Sequence, residues 1–415
     1  MQEPVIATLE ARAGEFRRGW PAMIACLIGH AIGLHTLPPF TIGLFIVPLQ
    51  QDFGWSRTSI SLGITIITIG TALSAPLVGA IVDRVGERIL IATGMAMLAA
   101  GYFALSLMAG SISQFWVIMA LMALLGAGCT PVTLSRIIVG LFDRRRGTAL
   151  GLVLIGTGVA GAVAPVLLSP IIAASGWRAG YQTLALVMLV GLPIVVGLLA
   201  LNRVGDAQPQ STGGRGVESP VTVGEVARQP IFLRLLIPIA LVALGTGGVV
   251  VHFVPMLIDA GFARAHAGQM AGLLGVSVVF ARLLVGVAID YVFAPLVATI
   301  LMAASAVGFL GLALGGQGLT PLAAVLVGLS LGAEVDLVVY LASRYFPERS
   351  FGRAYGMLYS AFLVSVAMSP LVYAGFREAI GNYRPGFAWA AVFLAVSSIC
   401  FAALPRFRTE ASAAV

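Results

Sequence analysis

Gly79-Ala80-Ile81-Val82-Asp83-Arg84-Val85-Gly86-Glu87-Arg88 packs four charges into ten residues of a chain that is 59% hydrophobic and only 10% charged. Read physically, the stretch is a helix end, a sharp turn at Gly86 and a charge cluster. Such a cluster can latch an aqueous face through charge-assisted hydrogen bonds. Apolar runs over 58–82 and 88–110 flank it, each as long as the roughly 20 residues that a helix needs to cross a bilayer core. A 415-residue chain with a mean hydropathy of +1.01 cannot cover itself with polar surface, so its solvent is largely lipid.

Outward from that loop, the sequence predicts an all-α integral membrane protein with twelve transmembrane helices. The expected spans are 21–48, 58–82, 88–110, 114–139, 147–173, 179–201, 232–258, 266–290, 295–315, 319–343, 352–375 and 386–405. The only long polar stretch, 202–231, reads as a flexible cytoplasmic connector between an N-terminal bundle (1–201) and a C-terminal bundle (232–415). The first 19 residues lack an apolar core, and the run from Trp20 to about Leu49 is too long for a cleaved signal peptide, so no processing is expected.

The 24 cations are all arginine. Seventeen fall on the side of the N-terminus, five on the opposite side (Arg57, Arg178, Arg264, Arg377, Arg384), and Arg136 and Arg282 lie inside spans. That excess places both termini in the cytoplasm. It reads as topology and not as a nucleic-acid surface. Cys26, Cys129 and Cys400 sit in separate apolar runs without metal-ligand spacing.

The halves repeat. Val47-Pro48, Asp52, Gly54 and Arg57 recur as Val254-Pro255, Asp259, Gly261 and Arg264, and Gly79 and Asp83 recur as Gly286 and Asp290. Further on, Gly147, Ala149, Gly151 and Pro165 pair with Gly352, Ala354, Gly356 and Pro370, and Arg178 and Gly180 with Arg384 and Gly386. Six spans separate each pair, so the halves are parallel repeats of six helices, an architecture whose solute site lies near mid-membrane.

The 79–88 loop resembles the signature loop of the major facilitator superfamily, and the resemblance covers nearly the whole chain. It implies that Gly79, Asp83, Arg84, Gly86 and Arg88 form a conformational latch. The second copy has Tyr291 where Arg84 stands, so any second latch is weaker. Phe142-Asp143-Arg144-Arg145-Arg146-Gly147, with Gly176-Trp177-Arg178 and Arg344-Tyr345-Phe346, is similar to the monocarboxylate-transporter and oxalate/formate-antiporter branch. In that branch a span 8 Arg holds the substrate carboxylate, which the resemblance carries to Arg282. The chain departs from the branch at Phe40, where a Lys follows the span 1 Pro, and at Val278, where an Asp precedes the Arg by one turn. It also lacks any span 11 Lys, so one carboxylate fits better than two.

Charges inside spans are costly and mark function. Arg282 lies eight residues before Asp290; Glu334 and Asp336 lie ten and eight residues before Arg344, at similar depth. Two readings stand. Either Arg282 binds a substrate carboxylate with its planar fork, released by a span 10 acid, or it forms a static pair with that acid. Glu334 and Asp336 are about 200° apart on a helix, so one faces the cavity, with Glu334 preferred. His35, beside the helix-interrupting Pro38-Pro39, suits a proton relay or a packing role. His30 and His252 read as structural. Arg136 either snorkels to the cytoplasm or contacts an anion.

The sequence therefore predicts a secondary active transporter of a small organic anion, a monocarboxylate, coupled to a proton or a counter-anion. It would act as a monomer in a bacterial inner membrane, without cofactor or metal, and would not be an enzyme. The alternative is an exporter of drug-like compounds.

Overall fold

The computed structural model describes residues 3–202, 222–314 and 317–407, and every regular element among them is helical. Helices are what a lipid-embedded chain can form locally, because each backbone donor finds its acceptor within the same segment. Eleven helical runs are long and apolar enough to cross a membrane. One of them, Arg146–Leu201, has 56 residues, roughly 84 Å at helical rise and far too long for one crossing. It is two spans broken at Gly176, whose φ of 80° lies outside helical space. With that division the spans number twelve.

Span 1 comprises Glu3–Ile32 and Leu37–Phe53, span 2 Arg57–Val85, span 3 Glu87–Ser106, and span 4 Ile112–Leu125 and Pro131–Leu141. Spans 5 and 6 share Arg146–Leu201. Spans 7 to 12 are Pro230–Asp259, Arg264–Tyr291, Ala294–Leu314, Thr320–Tyr345, Glu348–Ile380 and Arg384–Ala402. The chain divides into two compact units, Met1–Ser219 and Pro220–Val415. Most of the expected 202–231 connector lies outside the described residues. Its end forms a short helix, Val223–Ala227, closed by a capping box between Thr222 and Glu225.

In the N-terminal unit, span 1 is interrupted at 33–36, as Pro38-Pro39 leads one to expect. The backbone there is satisfied locally: Thr36 and Leu37 N–H donate to Gly33 O, and Thr36 Oγ1 donates to His30 O at 2.6 Å. Span 4 was expected to be continuous and is not. Gly126–Gly128 winds as a 3₁₀ turn and Pro131 restarts the helix. Two glycines and a residue with no N–H in six positions cannot sustain the ladder. The two breaks touch. Cys129 Sγ donates to Gly29 O at 3.7 Å, and a Cβ on Gly33 would stand 3.1 Å from Cys129 O. Spans 7 and 10, their repeats, run unbroken.

The N-terminal helix is pinned at its polar end. The Asn202 carboxamide enters the helical ladder beside Pro21, accepting from Ala22 N–H at 2.9 Å and donating to Arg18 O. Glu15 accepts from the Arg144 and Arg145 amides. On the opposite side the repeat is rewired. Asp52 pairs with Arg178 at 3.6 Å and accepts from Trp177 Nε1 at 2.6 Å, whereas Asp259 pairs at 2.7 Å with Arg377 and not with the repeat position Arg384.

Within the C-terminal unit, span 10 lies directly on the backbone of span 8. A Cβ on Gly328 would meet Leu274 O at 2.6 Å, and one on Gly332 would meet Val278 O at 2.3 Å. Glycines four residues apart present one flat face for such an approach. Gly332→Val should therefore cost about 2 kcal/mol or more in stability, visible as a lowered Tm of purified protein in detergent. Gly272→Ala, where a Cβ meets nothing within 4 Å, should leave the Tm unchanged. A Gly332→Val protein as stable as the parent would refute this packing.

Candidate substrate and proton site

Span 10 carries its two acids just past the Gly328/Gly332 face, so close packing on span 8 brings them to Arg282. Arg282 NH1 donates to Asp336 Oδ1 at 3.3 Å, with 13% of the Arg side chain exposed and none of the Asp. Glu334 points elsewhere, as a 200° separation requires. Its Oε2 accepts from Thr246 Oγ1 of span 7 at 2.9 Å. Arg282 also acts electrostatically on Glu334 and on Tyr359 of span 11. The half-buried Glu334 is the one ionisable residue lining a pocket whose other walls are apolar, among them Val242, Met302, Leu337 and Phe362.

The cluster is incompletely satisfied. A guanidinium has five donors, and the contact with Asp336 is the single hydrogen bond of Arg282 among the described residues. Asp336 Oδ2 is buried without a partner there.

The remaining predicted residues lie in the N-terminal unit. His35 occupies the break in span 1, half-buried and engaged with neighbours. Arg136 near the end of span 4 donates through Nε to Glu87 Oε1 at 2.9 Å, with about a fifth of each side chain exposed. That ion pair was not among the two readings of Arg136. Its partner stood inside the quoted loop, yet only the fold brings residues 87 and 136 together. In the latch, Gly79 is buried in span 2, Arg84 is exposed, and Arg88 is half-buried and engaged. Gly86 (φ 80°) ends span 2, its N–H donating to Val82 O at 3.0 Å. The Asp83 side chain lies outside the described residues. Among those residues no group of three His, Cys, Asp or Glu could hold a metal.

Two contributors escaped sequence reading, Thr246 and the Gly328/Gly332 face. Both had signals: Gly245-Thr246-Gly247-Gly248 is a polar residue set among glycines inside an apolar run, and the two glycines stand four apart just before the acids.

Residues 26–370 match the family model described as Major Facilitator Superfamily. Monocarboxylate transporter 13 of Bos taurus is 24% identical over 396 residues, covering 94% of this chain and 90% of that one. The fujikurins efflux protein of Gibberella fujikuroi is 26% identical over 222 residues, covering 52% and 45%. Among solved structures, the E. coli fucose:proton symporter superposes with a TM-score of 0.71 at 14% identity, covering 93% of this chain and 98% of that one.

Removing Arg282 alone strands the Asp336 charge, at a cost of about 3–5 kcal/mol. Arg282→Gln should lower the Tm in detergent markedly, and Arg282→Gln with Asp336→Asn should recover most of the loss. Equal Tm values for the parent and the single variant would contradict a buried ion pair.

Proposed function

Because the chain belongs to the major facilitator superfamily, we propose that it carries a small organic anion, a monocarboxylate, by alternating access, with Arg282 as the anion contact. It is a multi-pass membrane transporter and not an enzyme. What supports the anion role is a half-buried cation inside a span, hydrogen-bonded to Asp336 alone among the described residues, whose planar fork matches a carboxylate.

Charge arithmetic favours a proton over a counter-anion as the coupled species. With both acids ionised, Arg282, Glu334 and Asp336 sum to −1, and a further anion at that depth is unfavourable. One proton on Glu334 brings the cluster to neutrality and lets the anion join Arg282. Asp336 then holds Arg282 in place, while Glu334 titrates. His35, at the break in span 1, has the role of a proton relay or a solute contact. Gly79, Asp83, Arg84, Gly86 and Arg88 act as the latch, which the Arg136–Glu87 pair extends to span 4. The arginine asymmetry supports cytoplasmic termini in a bacterial inner membrane, and two six-helix units in one chain suffice for a functional monomer.

A second reading has its own support. Glu334, a carboxylate set among apolar side chains, suits the export of a hydrophobic cation, and the efflux relative is compatible with it.

Counterflow into proteoliposomes separates the two. Labelled lactate, pyruvate and benzoate should exchange, with Arg282→Lys reducing the rate about tenfold or more. The stable double variant Arg282→Gln/Asp336→Asn should remain inactive. Recovery of carboxylate exchange in that variant would remove Arg282 as the anchor, and counterflow of tetraphenylphosphonium without carboxylate exchange would favour the exporter.

A further inference from the structure

Thr246 is fully buried in span 7, and its hydroxyl has two acceptors at equal reach. Val242 O, one turn earlier in the same helix, and Glu334 Oε2 of span 10 each lie 2.9 Å from Oγ1. A hydroxyl has one proton and can serve only one of them at a time. We propose that Thr246 is a positioning residue that reads the protonation of Glu334 and passes it to the backbone of span 7.

With Glu334 ionised, the carboxylate is the stronger acceptor and receives the Thr246 hydrogen bond. When Glu334 gains a proton, its own O–H donates to Thr246 Oγ1. The hydroxyl then turns and donates to Val242 O. Each state holds the same protons apart from the one on Glu334, and neither strands a polar group. The same turn of span 7 is already tied to span 11: Ser369 Oγ donates to Leu244 O and accepts from Gly248 N–H, and Tyr373 O–H donates to Gly245 O at 2.8 Å. A change at Val242 O therefore falls on a glycine-rich turn whose neighbouring carbonyls are held by another helix.

Other charges bear on Glu334. Arg282 comes from span 8, and Asp336 follows on span 10 itself. From span 11, Tyr359 interacts with Arg282. Span 9, Ala294–Leu314, has no ionisable residue. On span 7, His252 stands six residues beyond Thr246, roughly 9 Å at helical rise, and bonds to Pro370 O and Tyr383. Thr246 alone hydrogen-bonds Glu334 among the described residues.

The inference rests on Glu334 as the titrating acid, and infrared titration of the full chain in lipid nanodiscs separates the two claims. The protonated-carboxyl stretch lost in Glu334→Gln identifies the residue. In Thr246→Val, which keeps the shape and removes the donor to the ionised form, that stretch should persist to higher pH by about one to two units. Thr246→Ser, which keeps the hydroxyl, should retain the wild-type midpoint. An unmoved midpoint in Thr246→Val, or an equal displacement in Thr246→Ser, would overturn the role of Thr246 while leaving Glu334 as the proton carrier. A wild-type spectrum with no titrating stretch that Glu334→Gln removes would instead overturn the reading of Glu334.

Discussion

Hydrocarbon offers no partner to an open N–H, C=O or charge, and each irregular feature of this chain is built around that fact. Where span 1 leaves helical geometry, Thr36 and Gly33 close the backbone locally, and where span 4 does so, Thr130 Oγ1 returns to Ala127 O at 2.8 Å. The breaks lie against each other, which keeps irregular backbone next to protein. Asn202 does the same at Pro21, where the ring removes one donor and the carboxamide serves the acceptor and donor around it. Arg282 and Asp336 follow the rule for charge, each being the other's partner in a span interior.

The two halves share a pattern of recurring residues and place their irregularities differently. The N-terminal unit breaks its first and fourth spans and holds its intramembrane arginine in a pair near a helix end. The C-terminal unit keeps spans 7 and 10 continuous and carries three intramembrane charges, Arg282 on span 8 and Glu334 and Asp336 on span 10. Continuous helices suit that task, because Gly328 and Gly332 can then fix span 10 on span 8 to within a side chain's width. The ion pairs of Asp52 and Asp259 diverge too, since the two acids correspond but Arg178 and Arg377 do not.

Satisfaction separates the two intramembrane arginines. Arg136 meets Glu87 at 2.9 Å with further contacts and fits a structural or latching tie. Arg282 meets Asp336 through one longer bond while a second acid lies within electrostatic reach. Two acids within reach of one cation suit the proton-gated anion site proposed above, which is why the proposed coupling centres there.

The sequence alone determined the solvent, the number of spans, the parallel repeat and the interruption beside Pro38-Pro39, because hydropathy, proline geometry and internal repetition are local or additive properties. It also brought Arg282, Glu334 and Asp336 to one depth, since helical rise converts residue counts into distance. It missed the break at Gly126–Thr130, although the breakers were in plain view, because the surrounding apolar run looked continuous. Which acid meets Arg282, that Glu87 meets Arg136, and that Thr246 stands between Val242 O and Glu334 were decided only by tertiary structure. Each depends on the rotation of one helix about its axis against another, and that rotation is set by packing surfaces tens of residues apart in the chain.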